Sequence, residues 1–208
     1  MGPTPSERLA EELRPAIRDA RVLAAIAAVP REAFVPDELR ERAYDNVALP
    51  IGQRQTISQP LVVARMVELL RLDPLDRVLD VGTGSGYHAA VLARLVRHVW
   101  TIERLPLLSE RAHANLRAAG ADNVTVVVGD GSRGLPEQAP FDAVNVAAAA
   151  WPEIPPALEA QLAPGGRLVA PVGASGQQLV LVERERDGDG GLRRTALDPV
   201  RFVPLIEG

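Results

Sequence analysis

Residues 78–87 read VLDVGTGSGY, an apolar strand with one acid, Asp80, that opens into a turn holding Gly82, Gly84 and Gly86. Gly82 and Gly84 suit a strand-to-helix turn because the backbone bends sharply there and a Cβ would obstruct a ligand lying against it. Thr83 and Ser85 alternate with these glycines and share the turn. A helix expected over 87–96 aims its free N–H groups at the same place, which suits a ligand carboxylate. Asp80, two residues before Gly82, offers a carboxylate to an amino group, and the next apolar run, HVWTIE, ends in a second acid, Glu103. At a strand tip Glu103 can take both hydroxyls of a ribose, about twenty residues beyond the turn as such readers stand. The combination reads as a pocket for S-adenosylmethionine (SAM), whose methionine tail carries both a carboxylate and an ammonium. The bland account is that Asp80 caps the turn and Glu103 is a solvated strand end. A dinucleotide fingerprint would need its third glycine where Tyr87 stands, and NAD has no ammonium to meet Asp80.

The elements that must hold these residues alternate. Strand RVLDV, helix YHAAVLARLV, strand HVWTIE, helix LLSERAHANLRAAG, strand VTVVVGD, strand FDAVNV, helix IPPALEAQL and strand RLVAPV predict a parallel sheet flanked by helices. QLVLVERER, the turn DGDGG and LRRTALDPVRFVPL predict an antiparallel C-terminal strand pair. The fold class is therefore α/β and Rossmann-like, a mostly parallel sheet flanked by helices with the SAM pocket at its strand tips. Before it, residues 1–72 form a helical and loop extension packed on the core of residues 73–208, in one compact unit. In that extension apolar residues recur at three and four through SERLAEELRPAIRDARVLAAIAAV, and Pro30 and Pro36 break the pattern. The stretch 44–60 has no sustained period and reads as a loop, followed by a helix LVVARMVELLRL that Asp73-Pro74 ends. In an open α/β sheet ligands bind outside the carboxyl ends of the strands. That rule adds Asp130-Gly131, where Asp130 can accept from an adenine amine and Gly131 lets the ring approach, with a plain tight turn as the bland account. It also adds the four alanines 147–150, which fit either a first helical turn or room for a substrate backbone.

Composition narrows the class. The chain has 208 residues, 47% of them hydrophobic, and no run approaches a membrane span. The polar N-terminus MGPTPSERLAEELR does not resemble a secretory signal, so a cytoplasmic location is expected. There is no cysteine, and the three histidines, His88, His98 and His113, are scattered, so no metal site is expected. A formal charge of −4, with every basic residue an arginine and no basic run, argues against a nucleic-acid surface. A monomer is expected.

The segments ALPIGQRQTISQP, VLDVGTGSGYHAAVLA, GDG, FDAVNVAAAAWPEIPPAL, LAPGGRLVAPVG and VRFVPL occur in the order seen in the protein-L-isoaspartate (D-aspartate) O-methyltransferases, and the chain resembles that family over nearly its whole length. The glycine turn is shared by many SAM enzymes, whereas the LPIG…QTIS loop is characteristic of this family. The resemblance implies SAM contacts at Gln55, Thr56, Ile57 and Ser58, with Ser58 the active-site residue. It places the first-strand acid at Asp80, the ribose acid at Glu103 and the adenine contact at Asp130 and Gly131. The chain departs from the family pattern at Arg54, where glycine or another small residue is usual, and at Leu61 and Val63, where histidine or tyrosine is often seen. An extra residue, Trp151, and Ile206 in place of threonine are further departures.

The resemblance implies transfer of the SAM methyl to the carboxylate of L-isoaspartyl residues in damaged proteins and peptides, leaving S-adenosyl-L-homocysteine. The ester would then close to a succinimide whose hydrolysis returns some normal aspartate. An aspartyl-type carboxylate, with a pKa of about 3.9, is ionised roughly a thousandfold at neutral pH, so no general base is required. The expected role of Ser58 is to hold the incoming carboxylate or guide the methyl by hydrogen bond, not to act as a nucleophile. Other readings are a carboxyl methyltransferase of the same family dedicated to one peptide product, a SAM-binding interaction module without catalysis, and a nicotinamide oxidoreductase.

Overall fold

The computed structural model describes residues 2–187 and 190–208. Two residues of the expected DGDGG hairpin turn, Gly188 and Asp189, lie outside the described residues.

Helix α1 (Pro5–Leu13) starts on a capping box in which the Thr4 hydroxyl accepts from the Glu7 N–H and the Glu7 carboxylate accepts from the Thr4 N–H. Helix α2 (Ala20–Ala28) is capped by Asp19. Two 3₁₀ turns follow, Arg31–Phe34 and Asp37–Arg42, each opening after a proline, as the breaks at Pro30 and Pro36 predict. The stretch expected as a loop contains an antiparallel hairpin, β1 (Leu49–Gly52) and β2 (Gln55–Ile57). Strands this short carry no readable alternation, which is why the period is silent there. Helix α3 (Pro60–Leu70) begins with proline in its first turn and ends on Arg71 in the left-handed region, φ 48°.

The sheet runs β3 (Arg77–Val81), β4 (His98–Glu103), β5 (Val124–Val128), β6 (Phe141–Val146), β7 (Leu162–Val172), β8 (Gln177–Arg184) and β9 (Leu192–Val200) along the chain. Its seven strands lie in the order β5-β4-β3-β6-β7-β8-β9. The first five in that order are parallel, and β8 and β9 add antiparallel. Successive strands step outward from β3 to β5 and then return to its other side at β6, so the order reverses between β3 and β6. A crevice at the carboxyl ends of those two strands follows from that reversal.

Side chains alternate along each strand between two cores. Val78, Val99, Ala143 and Val169 face one side, where α1, α2, α3, α4 (Tyr87–Ala93) and α5 (Pro106–Ala118) supply Leu9, Leu13, Ile26, Met66, Leu92 and Leu116. Leu79, Val144, Leu168 and Val182 face the other, with Leu158 from α6 (Pro156–Ala160). Helix α4 ends at Ala93, short of the expected 96, because Leu95 N–H turns back to the Leu92 carbonyl and Arg97 N–H joins Asp76, starting the approach to β4. The alanines 147–150 are not helical: the chain bends at Ala148, and Ala149 and Ala150 bridge to Pro204 and Val172. Among the described residues no helix is long and apolar enough to cross a membrane.

Candidate functional site

A cleft of about 300 Å³ opens at the strand tips, at the lower end of the size range for small-molecule sites. Its floor is Gly82 and Gly84 after β3, Glu103 at the end of β4, Gly131 after β5, and Ala147 and Ala148 after β6. The hairpin tip, Gln53 to Thr56, and the C-terminal residues Val203 to Ile206 close over it. Gly82 and Gly84 have φ of 93° and 54°, a region that L side chains rarely adopt. Gly131 is required by packing, since a Cβ there would stand 2.6 Å from Val81 Cγ1.

Glu103 is buried in the wall of this cleft. Its Oε2 accepts from the Gly84 N–H at 2.9 Å and its Oε1 from the Leu105 N–H at 3.0 Å. Each carboxylate oxygen has a second lone pair, so capacity for a pair of hydroxyls is retained. Asp130 does not line the cleft. Its Oδ1 takes the N–H and hydroxyl of Ser132 and its Oδ2 the N–H of Gly208, so the tip meets the cleft through Gly131 alone.

A second, open groove of about 750 Å³ begins at Thr56, Ser58 and Ala147 and runs past Val62 and residues 199–203. Between cleft and groove lies a void of about 30 Å³, bounded by Ile57, Ser58, Val63, residues 82–85, Tyr87 and His88. Thr56 and Ala147 wall all three spaces. Gln55 lines only the cleft, Ile57 turns its buried side chain inward, and Ser58 stands where the groove meets the void. Among the departures, Arg54 and Ile206 sit on the cleft and Val63 on the void, whereas Leu61 and the exposed Trp151 reach neither.

Asp80, expected to face the ligand, is fully buried behind the glycine turn. The Thr83 hydroxyl donates to Thr101 at 2.7 Å, Thr101 donates to Asp80 Oδ2 at 2.8 Å, and Asn145 Nδ2 donates to Asp80 Oδ1 at 2.7 Å. Burial pushes the Asp80 carboxyl up to about 6, against the lowering effect of those two hydrogen bonds, with the Glu103 charge raising it further. Asp80 therefore braces the turn from below. Beyond Asn145 lies His88, also buried, which burial pushes down to about 3, so its imidazole is neutral at physiological pH.

Arg31 is the largest fully buried side chain. Its Nε donates to the Ala43 carbonyl at 2.8 Å and its Nη2 to the Ser58 carbonyl at 2.7 Å, while the guanidinium lies 4.6 Å from the centre of the Tyr87 ring. Among the described residues no carboxylate forms a salt bridge with it. It ties the first 3₁₀ turn to Ser58 and places an uncompensated positive charge beside the void. Sequence reasoning passed over Arg31, Thr101, Asn145, His88 and the closing tail. Arg31 follows Pro30 in a polar-looking REAF, and no periodic signal marks an arginine as buried. Thr101 and Asn145 did carry a signal, as polar residues inside otherwise apolar strands.

Residues 5–208 match the family described as Protein-L-isoaspartate(D-aspartate) O-methyltransferase (PCMT). A protein-L-isoaspartate O-methyltransferase of Roseiflexus sp. (strain RS-1) is 57% identical over 192 residues, covering 92% of this chain and 87% of that protein. The enzyme of that name from Aeromonas hydrophila is 55% identical over 192 residues, covering 92% of each. Among solved structures, a protein-L-isoaspartate O-methyltransferase superposes with a TM-score of 0.87 at 29% identity, over 96% of this chain and 65% of that longer one. A Plasmodium falciparum chain assigned to the same activity, crystallised with S-adenosyl-L-homocysteine, gives a TM-score of 0.83 at 26% identity over 98% of this chain and 99% of its own.

Proposed function

The chain belongs to the protein-L-isoaspartate O-methyltransferase family, and from that premise we propose that it moves a methyl group from SAM to the free carboxylate of L-isoaspartyl residues in damaged proteins and peptides. The observation that carries this reading is the shared wall. Thr56 and Ala147 bound both a cofactor-sized cleft and an open groove, so an extended peptide in the groove meets a small molecule in the cleft at Ser58.

The residues present fit the cofactor. Glu103 supplies acceptors for ribose hydroxyls, Gly131 and the closing residues Pro204, Leu205 and Ile206 supply apolar surface for a base, and Gly82 and Gly84 allow close approach of the tail. SAM bound there supplies a methyl group made electrophilic by a sulfonium. The chain's task is then to place an oxygen in line with it. A substrate carboxylate is already ionised, so alignment carries the rate, and well-oriented reactions gain on the order of 10⁵ to 10⁸ M in effective concentration. Ser58 holds the incoming carboxylate through its hydroxyl. Arg31 fixes the Ser58 backbone from beneath, and its charge favours an anion on this side of the turn. The groove mixes apolar residues, Ala48, Val62, Val200 and Phe202, with the polar Thr56, Ser58, Gln59 and Arg201.

Labelled SAM and paired peptides with isoaspartate or aspartate at one position test the proposal. Base-labile label is expected in the isoaspartyl peptide alone. Label in neither peptide, or equally in both, would overturn it.

A further inference from the structure

Strand β9 ends its ladder at Val200, which stands opposite Gln177 at the start of β8. In that register Phe202 would pair with residue 175, but the chain turns away there, since residues 173–176 connect β7 to β8 and Gly173 has a φ of 132°. The Gln177 side chain takes the missing partner's place. Its Oε1 accepts from the Phe202 N–H at 2.6 Å and its Nε2 donates to the Phe202 carbonyl at 3.0 Å. Turning the amide over would set oxygen against carbonyl and N–H against N–H, so this orientation holds. Gln177 is only 8% exposed. An amide withdrawn from water is thus committed at both ends to the backbone of one residue, and releasing either end leaves a buried polar group unmade.

Residues 201–206 leave the ladder as a strap that serves two spaces. Residues 201–203 wall the groove, residues 203–206 wall the cleft, and Val203 walls both. On the cleft side the Val203 carbonyl accepts from the Ala149 N–H at 2.7 Å, and the Leu205 N–H donates to the Ala149 carbonyl at 2.8 Å. The root of the strap is held by Gln177, which itself borders neither the cleft nor the groove. Pins on the adjoining residues Phe202 and Val203 mean that the groove wall does not shift without the cleft wall. Where alignment carries the rate, that spacing matters, because a misplacement of about 1 Å can cost on the order of 100-fold.

We propose that Gln177 is a positioning residue for methyl transfer, clamping Phe202 so that the strap holds the peptide wall and the cofactor wall at one spacing. The proposal rests on the function proposed above. It separates Gln177 from Ser58, which acts on the substrate directly, and from Glu103, which acts on the cofactor alone.

Gln177→Met keeps the length and burial of the side chain and removes both hydrogen bonds. Three quantities are read on the purified protein: the SAM dissociation constant by calorimetry, KM for an isoaspartyl peptide, and the single-turnover rate with both ligands saturating. Gln177→Met is expected to raise the first two by about 3- to 10-fold each and to slow the third on the order of 10-fold. Val182→Ala, a core truncation in the same strand, is expected to lower the thermal midpoint yet leave all three within about two-fold. Should Gln177→Met fail to fold, Gln177→Glu at pH 8, which keeps the acceptor for the Phe202 N–H and loses the donor to its carbonyl, is expected to shift the same three quantities in the same direction. Unchanged values would mean that the strap is held without Gln177, a shift in SAM or peptide affinity alone would mean that the two walls are not set together, and equal shifts in Val182→Ala would mean a general loosening of β8; each result overturns the proposal. Absence of methyl transfer by the unaltered protein would overturn the function on which it rests.

Discussion

At Ser58 the void and the groove meet, and the residue's carbonyl is fixed by Arg31 while its hydroxyl is free among the described residues. A hydroxyl so placed can act on the incoming carboxylate without taking part in cofactor binding. Ser58→Ala is therefore expected to leave SAM affinity within a few-fold and to slow single-turnover methyl transfer by on the order of 10- to 100-fold, about 1.4 to 2.7 kcal/mol. A normal rate in that variant would leave proximity alone to carry the chemistry. His88 supports a different measurement, of stability against pH. Its folded pKa is pushed down to about 3 by burial, below the ordinary value of 6.5. The stabilisation from its neutral form is therefore complete above pH 6.5 and is lost as pH falls toward 3. Asp80 opposes this with a pKa raised to about 6, so its ionisation costs stability as pH rises from 4 to 6, but His88→Gln retains that term. The gap in unfolding free energy between the unaltered protein and His88→Gln is expected to shift against the unaltered protein by about 1.5 kcal/mol between pH 6.5 and pH 5. Urea titrations at the two pH values read it directly, and a constant gap would place His88 in contact with solvent.

The β1–β2 hairpin shows where element-scale reading stopped. Helices and sheet strands were legible because their apolar residues keep a period of 3.6 or form unbroken runs such as VTVVV. The hairpin has strands of four and three residues and a turn, Gln53-Arg54, without the glycine or asparagine that usually announces one. Both turn residues nevertheless adopt positive φ, 50° and 58°. That backbone requirement accounts for the small residue usual in the family at the position of Arg54: the departure is a strained turn, not a new cofactor contact forced by charge. A left-handed non-glycine residue costs about 1–2 kcal/mol, and glycine returns about 0.5–1 kcal/mol of that through its greater entropy when unfolded. Arg54→Gly is thus expected to stabilise the ligand-free protein by about 0.5 to 1 kcal/mol in chemical denaturation. Destabilisation would show that the Arg54 side chain makes a contact worth more than the strain.

For the whole molecule, the reversal of strand order between β3 and β6 decides where the site is, and the N-terminal extension decides what stands over it. The first half of that statement was readable from alternating elements. The second was not, because burial of Arg31 and the return of the tail over the cleft depend on contacts distant in sequence, such as Arg31 to Ser58 and Ala149 to Val203. Leu9, Leu13 and Ile26 of the extension share one hydrophobic core with Val78, Val99 and Val169 of the sheet. Neither part keeps its apolar surface covered without the other, so residues 1–72 and 73–208 are expected to unfold as one unit. A ligand bound at the strand tips must then stabilise the entire chain, including helices it does not touch. SAM at one hundred times its dissociation constant contributes about 2.7 kcal/mol. For a chain of this size that raises the thermal midpoint by about 5 to 10 °C. Far-ultraviolet circular dichroism, weighted to the helices, and the fluorescence of Trp100 in β4, read in a Trp151→Phe background that removes the exposed second tryptophan, are expected to report the same midpoint and the same rise, with none from NAD. Two separated transitions, or a SAM-induced rise seen by only one probe, would mean that the extension and the sheet are independent folding units.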